Sequence, residues 1–381
     1  MVDDVYANRR ERAAGRCRKT GADAVVCFPS RNLQYLTGYA TEPSERHFLL
    51  VVPADGDPCF LVPELSAAEV YDATSVADIR TWADGDDPVA AVRDLFVDHD
   101  LLADRDLLSD RGGGGGHLLV DDTMWARFTQ DLRVAAPDAT WGLASEALAT
   151  LRIRKDDSEL AALREAATVA DAVVEELREL GDDVVGRTEA DLADWIDDRL
   201  AAHGGIEPAF ATIVAAGENG AKPHHHPGDR AVRAGEPVVF DFGTRVDGYP
   251  SDQTRTLVFG GEPSAAYRRV HDIVREAQAA AIDAVEPGVP AETIDRAARD
   301  VIGEAGYGDA FVHRTGHGVG LDVHEEPYLV AGNDRELEPG MVFSVEPGVY
   351  LDGEFGCRIE DLIVVTHDGA ERLNTTDRGW R

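Results

Sequence analysis

Five residues with oxygen or nitrogen donors stand in four separated stretches of the C-terminal half. They are Asp241 and Asp252 in VVFDFGTRVDGYPSDQTRT, His317 in HRTGHGVGLDVHEEP, Glu346 in FSVEPG and Glu360 in CRIEDL. Four carboxylates and one imidazole make a mostly hard donor set, suited to a pair of divalent cations and to metal-dependent hydrolysis. Two of the carboxylates interrupt apolar runs: Asp241 in Val238-Val-Phe-Asp-Phe242, and Glu346 after Met341-Val-Phe-Ser-Val. A charge in a buried strand needs a partner, and a metal ion is a natural one.

The spacing allows a test of convergence. Asp247-Gly248 is a two-residue hairpin signal. With that turn Val246 faces Tyr249 and Asp241 faces Thr254, and Asp252 becomes a diagonal neighbour of Asp241 on the same face. Both carboxylates then reach one metal pair, whose ions lie roughly 3.5–4 Å apart in such sites. Further on, Arg358 and Glu360 are two apart and share a strand face, while Asp361 points away. Arg358 reads either as a contact to ligand or substrate or as the ion-pair partner of a neighbouring carboxylate. The loop between Glu346 and Glu360 leaves their mutual register open.

Histidines surround this set. His313, His317 and His324 alternate with Gly316, Gly318 and Gly320, a pattern expected where something approaches the backbone closely. The glycines do not form GxGxxG, so a dinucleotide site is excluded. The run His224-His225-His226, before Pro227, is a second imidazole cluster, and alone it reads equally well as a solvated loop.

The elements that must position these residues follow from periodicity. Residues 1–150 read as a mixed α/β domain, with strands at Ala24–Phe28, His47–Val52 and Cys59–Val62 and helices at Glu64–Asp72, Pro88–Asp98 and Asp122–Leu132. The run Gly112–Gly116 lacks a following Lys-Ser/Thr and reads as a loop between strands rather than a phosphate cradle. The boundary falls in 151–158, where Asp and Ser cap a long helix with Leu160, Leu163, Ala167, Ala170, Val174 and Leu177 on one face. A second helix at Glu189–His203 and the Asp247-Gly248 hairpin follow. The order then repeats, with helices at Ser264–Val285 and Ala291–Ala305 and strands around Asp352-Gly353. Asp241 and Glu346 are 105 residues apart, which predicts an internal duplication with the donors near its axis.

Composition narrows the setting. With 72 acidic and 37 basic residues the 381-residue chain carries a net charge of −35, which argues against nucleic acid or an anionic membrane as partner. Lysine is confined to Lys19, Lys155 and Lys222. That balance resembles proteins of salt-accumulating halophiles, in which molar salt shortens the Debye length to about 3 Å. Cys17, Cys27, Cys59 and Cys357 show no CxxC pairing and read as buried thiols of a cytoplasmic protein. Neither a signal peptide nor a membrane span is expected.

The stretches DFG-TRVDGYPSDQTRT, HRTGHGVGLDVHEEP, EPG and CRIED resemble those of the pita-bread metallopeptidases, in particular the proline-specific branch of aminopeptidase P and prolidase. Asn32-Leu-Gln-Tyr-Leu-Thr-Gly38 is similar to the creatinase-type N-terminal domain of that branch. The resemblance implies an α/β (α+β) architecture: a creatinase-like domain over 1–150 and a pseudo-twofold pita-bread catalytic domain over 151–381. It implies Asp241, Asp252, His317, Glu346 and Glu360 as ligands of two divalent ions, with Mn²⁺ first and Co²⁺, Fe²⁺ or Zn²⁺ as alternatives. His224, His313, His324, Glu346 and Arg358 match further active-site positions. The implied activity is hydrolysis of Xaa-Pro bonds by a metal-bridging hydroxide, in peptides with proline second, by a homodimer. Prolidase-like dipeptidases carry an arginine soon after the HE pair, where this chain has Tyr328. That departure places an aminopeptidase first and a dipeptidase second. A creatinase-like amidinohydrolase and a non-catalytic binding protein are disfavoured by the complete donor set, and a methionine aminopeptidase by the extra N-terminal domain.

Overall fold

A computed structural model of the chain describes residues 2–102 and 115–381, with side chains from residue 5 onward. The glycine run Gly112–Gly116 therefore lies mostly outside the described residues. The chain divides into two compact units, Met1–Arg152 and Ile153–Arg381.

In the first unit six strands form one mixed sheet. They are β1 (Ala24–Cys27), β2 (Leu49–Pro53), β3 (Cys59–Pro63), β4 (Asp78–Trp82), β5 (His117–Val120) and β6 (Thr140–Leu143), ordered β4-β3-β2-β1-β5-β6. Its helices are α1 (Val2–Thr20), α2 (Arg31–Thr37), α3 (Ala67–Ala73), α4 (Pro88–Asp98), α5 (Ala126–Ala135) and α6 (Ser145–Arg152). The core joins Val26, Val51 and Leu118 of the sheet to Phe96 of α4 and Leu132 of α5. Helix α4 has the expected limits because Asp87 caps the Val89 amide and Pro88 opens the first turn. Two helices depart from expectation. The stretch from Glu64 begins as a 3-10 turn, Glu64–Ser66, before α3. Helix α5 starts four residues later than expected, because Asp121 accepts from the Thr123 amide and hydroxyl and holds that segment as a turn.

The second unit is built twice over. Its first half contains α7 (Asp157–Glu179), α8 (Glu189–Ala202), β7 (Ile213–Ala216), β8 (Pro237–Phe242), β9 (Arg245–Val246), β10 (Tyr249–Pro250) and β11 (Gln253–Val258). The second half contains α9 (Ala265–Asp283), α10 (Ala291–Glu304), β12 (Gly316–Gly318), β13 (Glu325–Leu329), β14 (Val342–Val345), β15 (Gly348–Leu351), β16 (Phe355–Arg358), β17 (Asp361–Val365) and β18 (Ala370–Arg372). Each half thus runs helix, helix, strand, long hairpin. Helices α8 and α10 are both 14 residues long.

Each half also has its own core. One packs Val173, Leu177, Leu192 and Ile196 of α7 and α8 against Val238, Phe240 and Leu257. The other packs Val270, Val274, Ile294 and Ala298 of α9 and α10 against Phe343, Val345 and Ile363. Complete burial of each Val, Leu, Ile or Phe among these contributes about 1.5–3 kcal/mol. Helix α7 begins at a capping box in which Asp156 accepts from the Glu159 amide and Glu159 accepts from the Asp156 amide. Thr188 and Asp191 form the same device ahead of α8.

Hairpin register does the positioning. In the first half Val246 pairs with Tyr249 and Asp241 with Thr254, as the two-residue turn predicts. Asp247 and Gly248 both take positive φ, at 50° and 84°, the signature of a tight hairpin turn. In the second half Leu351 pairs with Phe355, so the turn around Asp352-Gly353 spans three residues. Gly348 pairs with Arg358 and Val345 with Asp361. Counting inward from these pairs sets Glu346 opposite Glu360, the register that the sequence left open.

Candidate metal centre

The structure brings the nine site residues expected from sequence to one cavity of roughly 530 Å³, wholly within the second unit. Its lining includes Asp241, Asp252, His317, Glu346 and Glu360 together with His224, His313, His324 and Arg358. Asp241 is the penultimate residue of β8, Asp252 immediately precedes β11, His317 is the middle residue of β12, and Glu346 and Glu360 lie in the gaps of the second hairpin. Side-chain donors of Asp252, His317 and Glu360 lie within 4.8 Å of one another. Glu346 joins them through an Oε1 that is 3.4 Å from His317 Nε2, and Asp252 Oδ2 is 3.6 Å from the same nitrogen.

The electrostatics of this cluster fit cations. Burial, then the charges of Asp241 and Glu346, push the Asp252 carboxyl well above the usual range. Burial, then the charge of Asp252, does the same to Glu360, and burial carries Glu346 up to about 7. Crowded carboxylates of this kind keep their charge only when positive ions sit among them. Asp241 Oδ1 is buried without a hydrogen-bond partner among the described residues. His317 Nδ1 lies 3.2 Å from the Gly318 carbonyl, which fixes its proton there and turns the Nε2 lone pair toward the carboxylates. Burial lowers the His317 pKa to about 3, so the ring is a neutral ligand type. A lone pair facing two carboxylate oxygens is repulsive unless a cation lies between them.

The glycines flanking His317 have a purely structural cause. A Cβ on Gly316 would lie 1.9 Å from Ser344 O, and one on Gly318 would lie 2.2 Å from Glu326 O. What approaches the backbone closely is the chain itself, which lets β12 carry His317 between its neighbours.

Arg358 takes the ion-pair reading. Buried and carrying its charge, it donates through Nη2 to Asp241 Oδ2, through Nε to Thr254 Oγ1 at 3.0 Å and through Nη1 to Tyr350 OH at 2.8 Å. Burial opposes its charge, but Tyr350, Asp241, Glu360 and Glu346 outweigh it and raise the pKa. Tyr350 in turn faces His313 Nε2 at 2.9 Å, and His313 Nδ1 is 2.7 Å from Arg314 O. Both nitrogens of His313 are therefore engaged, and burial holds its pKa down at about 4. His224 and His324 are more exposed. The His324 ring lies edge-on to His317, with centroids 4.1 Å apart.

Several contributors carried no signal in the sequence reading. Thr254, opposite Asp241, donates its hydroxyl to Glu360 Oε2 at 2.6 Å, and Ser344 donates to Glu346 Oε1 at 3.1 Å. Their positions two residues from acidic ligand candidates, on the same strand face, are the clue that parity could have supplied. Arg314 also lines the cavity and lies over the Tyr328 ring at 4.3 Å. A second grouping of ligand types in the first unit, Cys59, Asp78 and His99, also has its donors within 4.8 Å. There Arg80 already supplies the cation, 3.4 Å from Asp78 Oδ2 and from His99 Nε2.

Comparison with known proteins agrees with both units. Residues 161–367 match metallopeptidase family M24, and residues 9–154 match the creatinase/prolidase N-terminal domain. The chain is 42% identical over 375 residues to the probable dipeptidase PepE of Mycobacterium tuberculosis, spanning 97% of this chain and 95% of that one. It is 39% identical to the Xaa-Pro dipeptidase of Lactobacillus helveticus, with 91% of each chain covered. The crystal structure of prolidase from Thermococcus sibiricus superposes with a TM-score of 0.89 at 36% identity over 98% of both chains. By its pita-bread fold, its donor cluster and these matches, the chain belongs to metallopeptidase family M24, with a creatinase/prolidase N-terminal domain ahead of the catalytic one.

Proposed function

We propose that this metallopeptidase hydrolyses Xaa-Pro bonds, with Asp241, Asp252, His317, Glu346 and Glu360 holding two divalent ions. The observation that carries the reading is the convergence of all five residues with His224, His313, His324 and Arg358 on a single cavity. Bound cations there would supply Lewis acidity and make water a nucleophile near neutral pH. Glu346, at the cavity wall beside His317, is placed to take a proton at its carboxylate and return it to the departing nitrogen. His224 and His324 present their rings to the cavity and orient the substrate carbonyl through N–H donors. Arg358 and Tyr350 hold Asp241 and His313 in place rather than reaching the substrate. Proline has its own niche because the Xaa-Pro bond lacks an N–H and fixes φ.

Substrate length turns on one guanidinium. Tyr328 stands where an arginine was expected for a dipeptidase, which favours the aminopeptidase reading. Arg314 lies over that tyrosine ring at the cavity wall, able to hold a terminal carboxylate, and it favours a dipeptidase. The names of the relatives, dipeptidase and Xaa-Pro dipeptidase, support the latter. Mn²⁺ as the native ion rests on the hard donor set. A homodimer, a requirement for molar salt and a cytoplasmic location complete the proposal; the last is supported by four buried, unpaired cysteines.

Hydrolysis of Ala-Pro, Ala-Pro-Ala and Ala-Ala-Ala in molar KCl, after chelation and with Mn²⁺ restored, tests the reading. Ala-Pro cleaved fastest identifies the dipeptidase, and Ala-Pro-Ala cleaved fastest the aminopeptidase. Failure to cleave either proline peptide, whatever the metal, contradicts the proposal.

A further inference from the structure

His224 enters the cavity on a segment with little regular structure, a 3-10 turn at Gly217–Ala221 followed by loop. The segment is nevertheless held from two sides. On one side stands Glu189, the first residue of α8, whose side chain is fully buried. Its Oε1 accepts from the Ala216 amide at 2.8 Å and from Asn219 Nδ2 at 3.0 Å. Its Oε2 lies 2.8 Å from His225 Nε2 and accepts from the Gly228 amide at 3.3 Å. A carboxylate only accepts, so the His225 proton sits on Nε2. Four donors distributed over residues 216–228 thus converge on one carboxylate. The backbone of α8 adds bonds from the Glu189 amide to Arg230 O and from the Ala190 amide to Gly228 O.

On the other side stands β16. A Cβ on Gly356 would lie 1.8 Å from Gly220 O, so the segment rests directly on strand backbone. Arg358 Nη1 donates to Pro223 O at 3.4 Å, next to His224. His224 itself has a cavity-facing ring and takes no part in these bonds.

Resting on the peptidase reading above, we propose that Glu189, acting partly through His225, is a positioning residue that sets the location of His224 against the substrate. Neither residue lines the cavity, and neither belongs to the donor cluster. His225 is then the clamp, not a ligand: it anchors the segment one residue from the side chain that works. Loss of the clamp lets His224 drift, and displacement of an active-site group by about 1 Å lowers rate by on the order of 10²-fold.

The test is a double-mutant cycle on the full chain in molar KCl with Mn²⁺, reading kcat/KM for Ala-Pro. Glu189→Gln and His225→Ala are each made alone and in a His224→Ala background. Each single change is expected to lower kcat/KM by about 10–100-fold. In the His224→Ala background the same changes should cost no more than about twofold, since there is no longer a ring to misplace. Metal content should be unchanged, and amide exchange across 216–228 should quicken. Losses that multiply in the His224→Ala background, or wild-type rates in Glu189→Gln, overturn the positioning role alone. A wild-type chain that cleaves no Xaa-Pro peptide overturns the reading beneath it as well. Should Glu189→Gln fail to fold, the cycle with His225→Ala decides the matter, because that ring is partly exposed and its removal leaves the carboxylate three donors.

Discussion

The two halves of the catalytic unit share a scaffold and differ in what the scaffold carries. Each presents a long hairpin with an acidic residue on its first arm, Asp241 within β8 in one and Glu346 just after β14 in the other. The turns differ by one residue, and so do the partners: Asp241 faces Thr254, whereas Glu346 faces Glu360. The first half recovers its second carboxylate two residues earlier, at Asp252. Thr254 is not idle, since its hydroxyl bonds the Glu360 carboxylate across the centre and receives Arg358 Nε. A symmetric frame thus yields an asymmetric donor set, in which the hydroxyl facing Asp241 in the first half bonds Glu360 in the second.

The loops carrying the cavity histidines show the same relation. In the first half the buried Glu189 of α8 gathers residues 216–228. In the second, Asp295 of α10 accepts from the Thr315 amide and hydroxyl at 3.1 and 2.8 Å, and Arg299 reaches the Phe311 and His313 carbonyls. A buried acid on the second helix fastens the loop in both cases. Only in the first half does the fastening run through a histidine ring adjacent to the one in the cavity.

Breaking the comparison at its carboxylate end gives the largest effect. Glu360→Gln is expected to reduce Ala-Pro hydrolysis by at least about 10³-fold while leaving the far-ultraviolet circular dichroism in molar KCl unchanged. Near wild-type turnover would remove Glu360 from the donor set. Thr254→Val, which changes the facing position without touching a donor, should cost about 10–100-fold in metal affinity or activity and should weaken further when combined with Ser344→Ala. Metal titration of the variant followed by assay separates the two contributions.

An effect on stability rather than on catalysis lies in the second half's helix layer, away from the cavity. His271 of α9 is buried with both ring nitrogens unpartnered among the described residues, and burial lowers its pKa from 6.5 to about 4. The unfolded chain therefore binds the proton first as pH falls. Stability contributed by the neutral ring is present above pH 6.5 and is lost between pH 6.5 and 4, on the order of 3 kcal/mol across the window. His271→Leu should flatten that acid limb and raise the melting temperature more at pH 5 than at pH 8. Parallel pH profiles for the two proteins would show that His271 does not titrate this way.

Much of this was legible in the residues. The first hairpin has the register that a two-residue Asp247-Gly248 turn predicts, and an acid inside Val-Val-Phe-Asp-Phe marks its own burial. The second hairpin was not readable in this way, because Asp352-Gly353-Glu354 admits turns of two or three residues and the choice alters every facing pair. The histidine-glycine pattern was read correctly as a close approach, although neighbouring strands rather than a ligand make it. Glu189 was invisible because an acid in the first turn of a helix is ordinarily explained by the helix dipole, and its bonds go to the distant segment 216–228. In the first unit β4 and β6, reading DIRTW and TWGL, are part-exposed and lack the apolar runs that revealed β1 to β3.

On the proposed function, two divalent ions bind where the two hairpins meet and make the chain an Xaa-Pro peptidase. Titrating the chelated protein with Mn²⁺ in molar KCl, while following Ala-Pro hydrolysis, tests it most directly. No activity is expected without metal, and in the wild type activity should rise and saturate at two equivalents per chain. Activity that survives complete chelation, or that is fully restored by Mn²⁺ in Glu360→Gln, would contradict it.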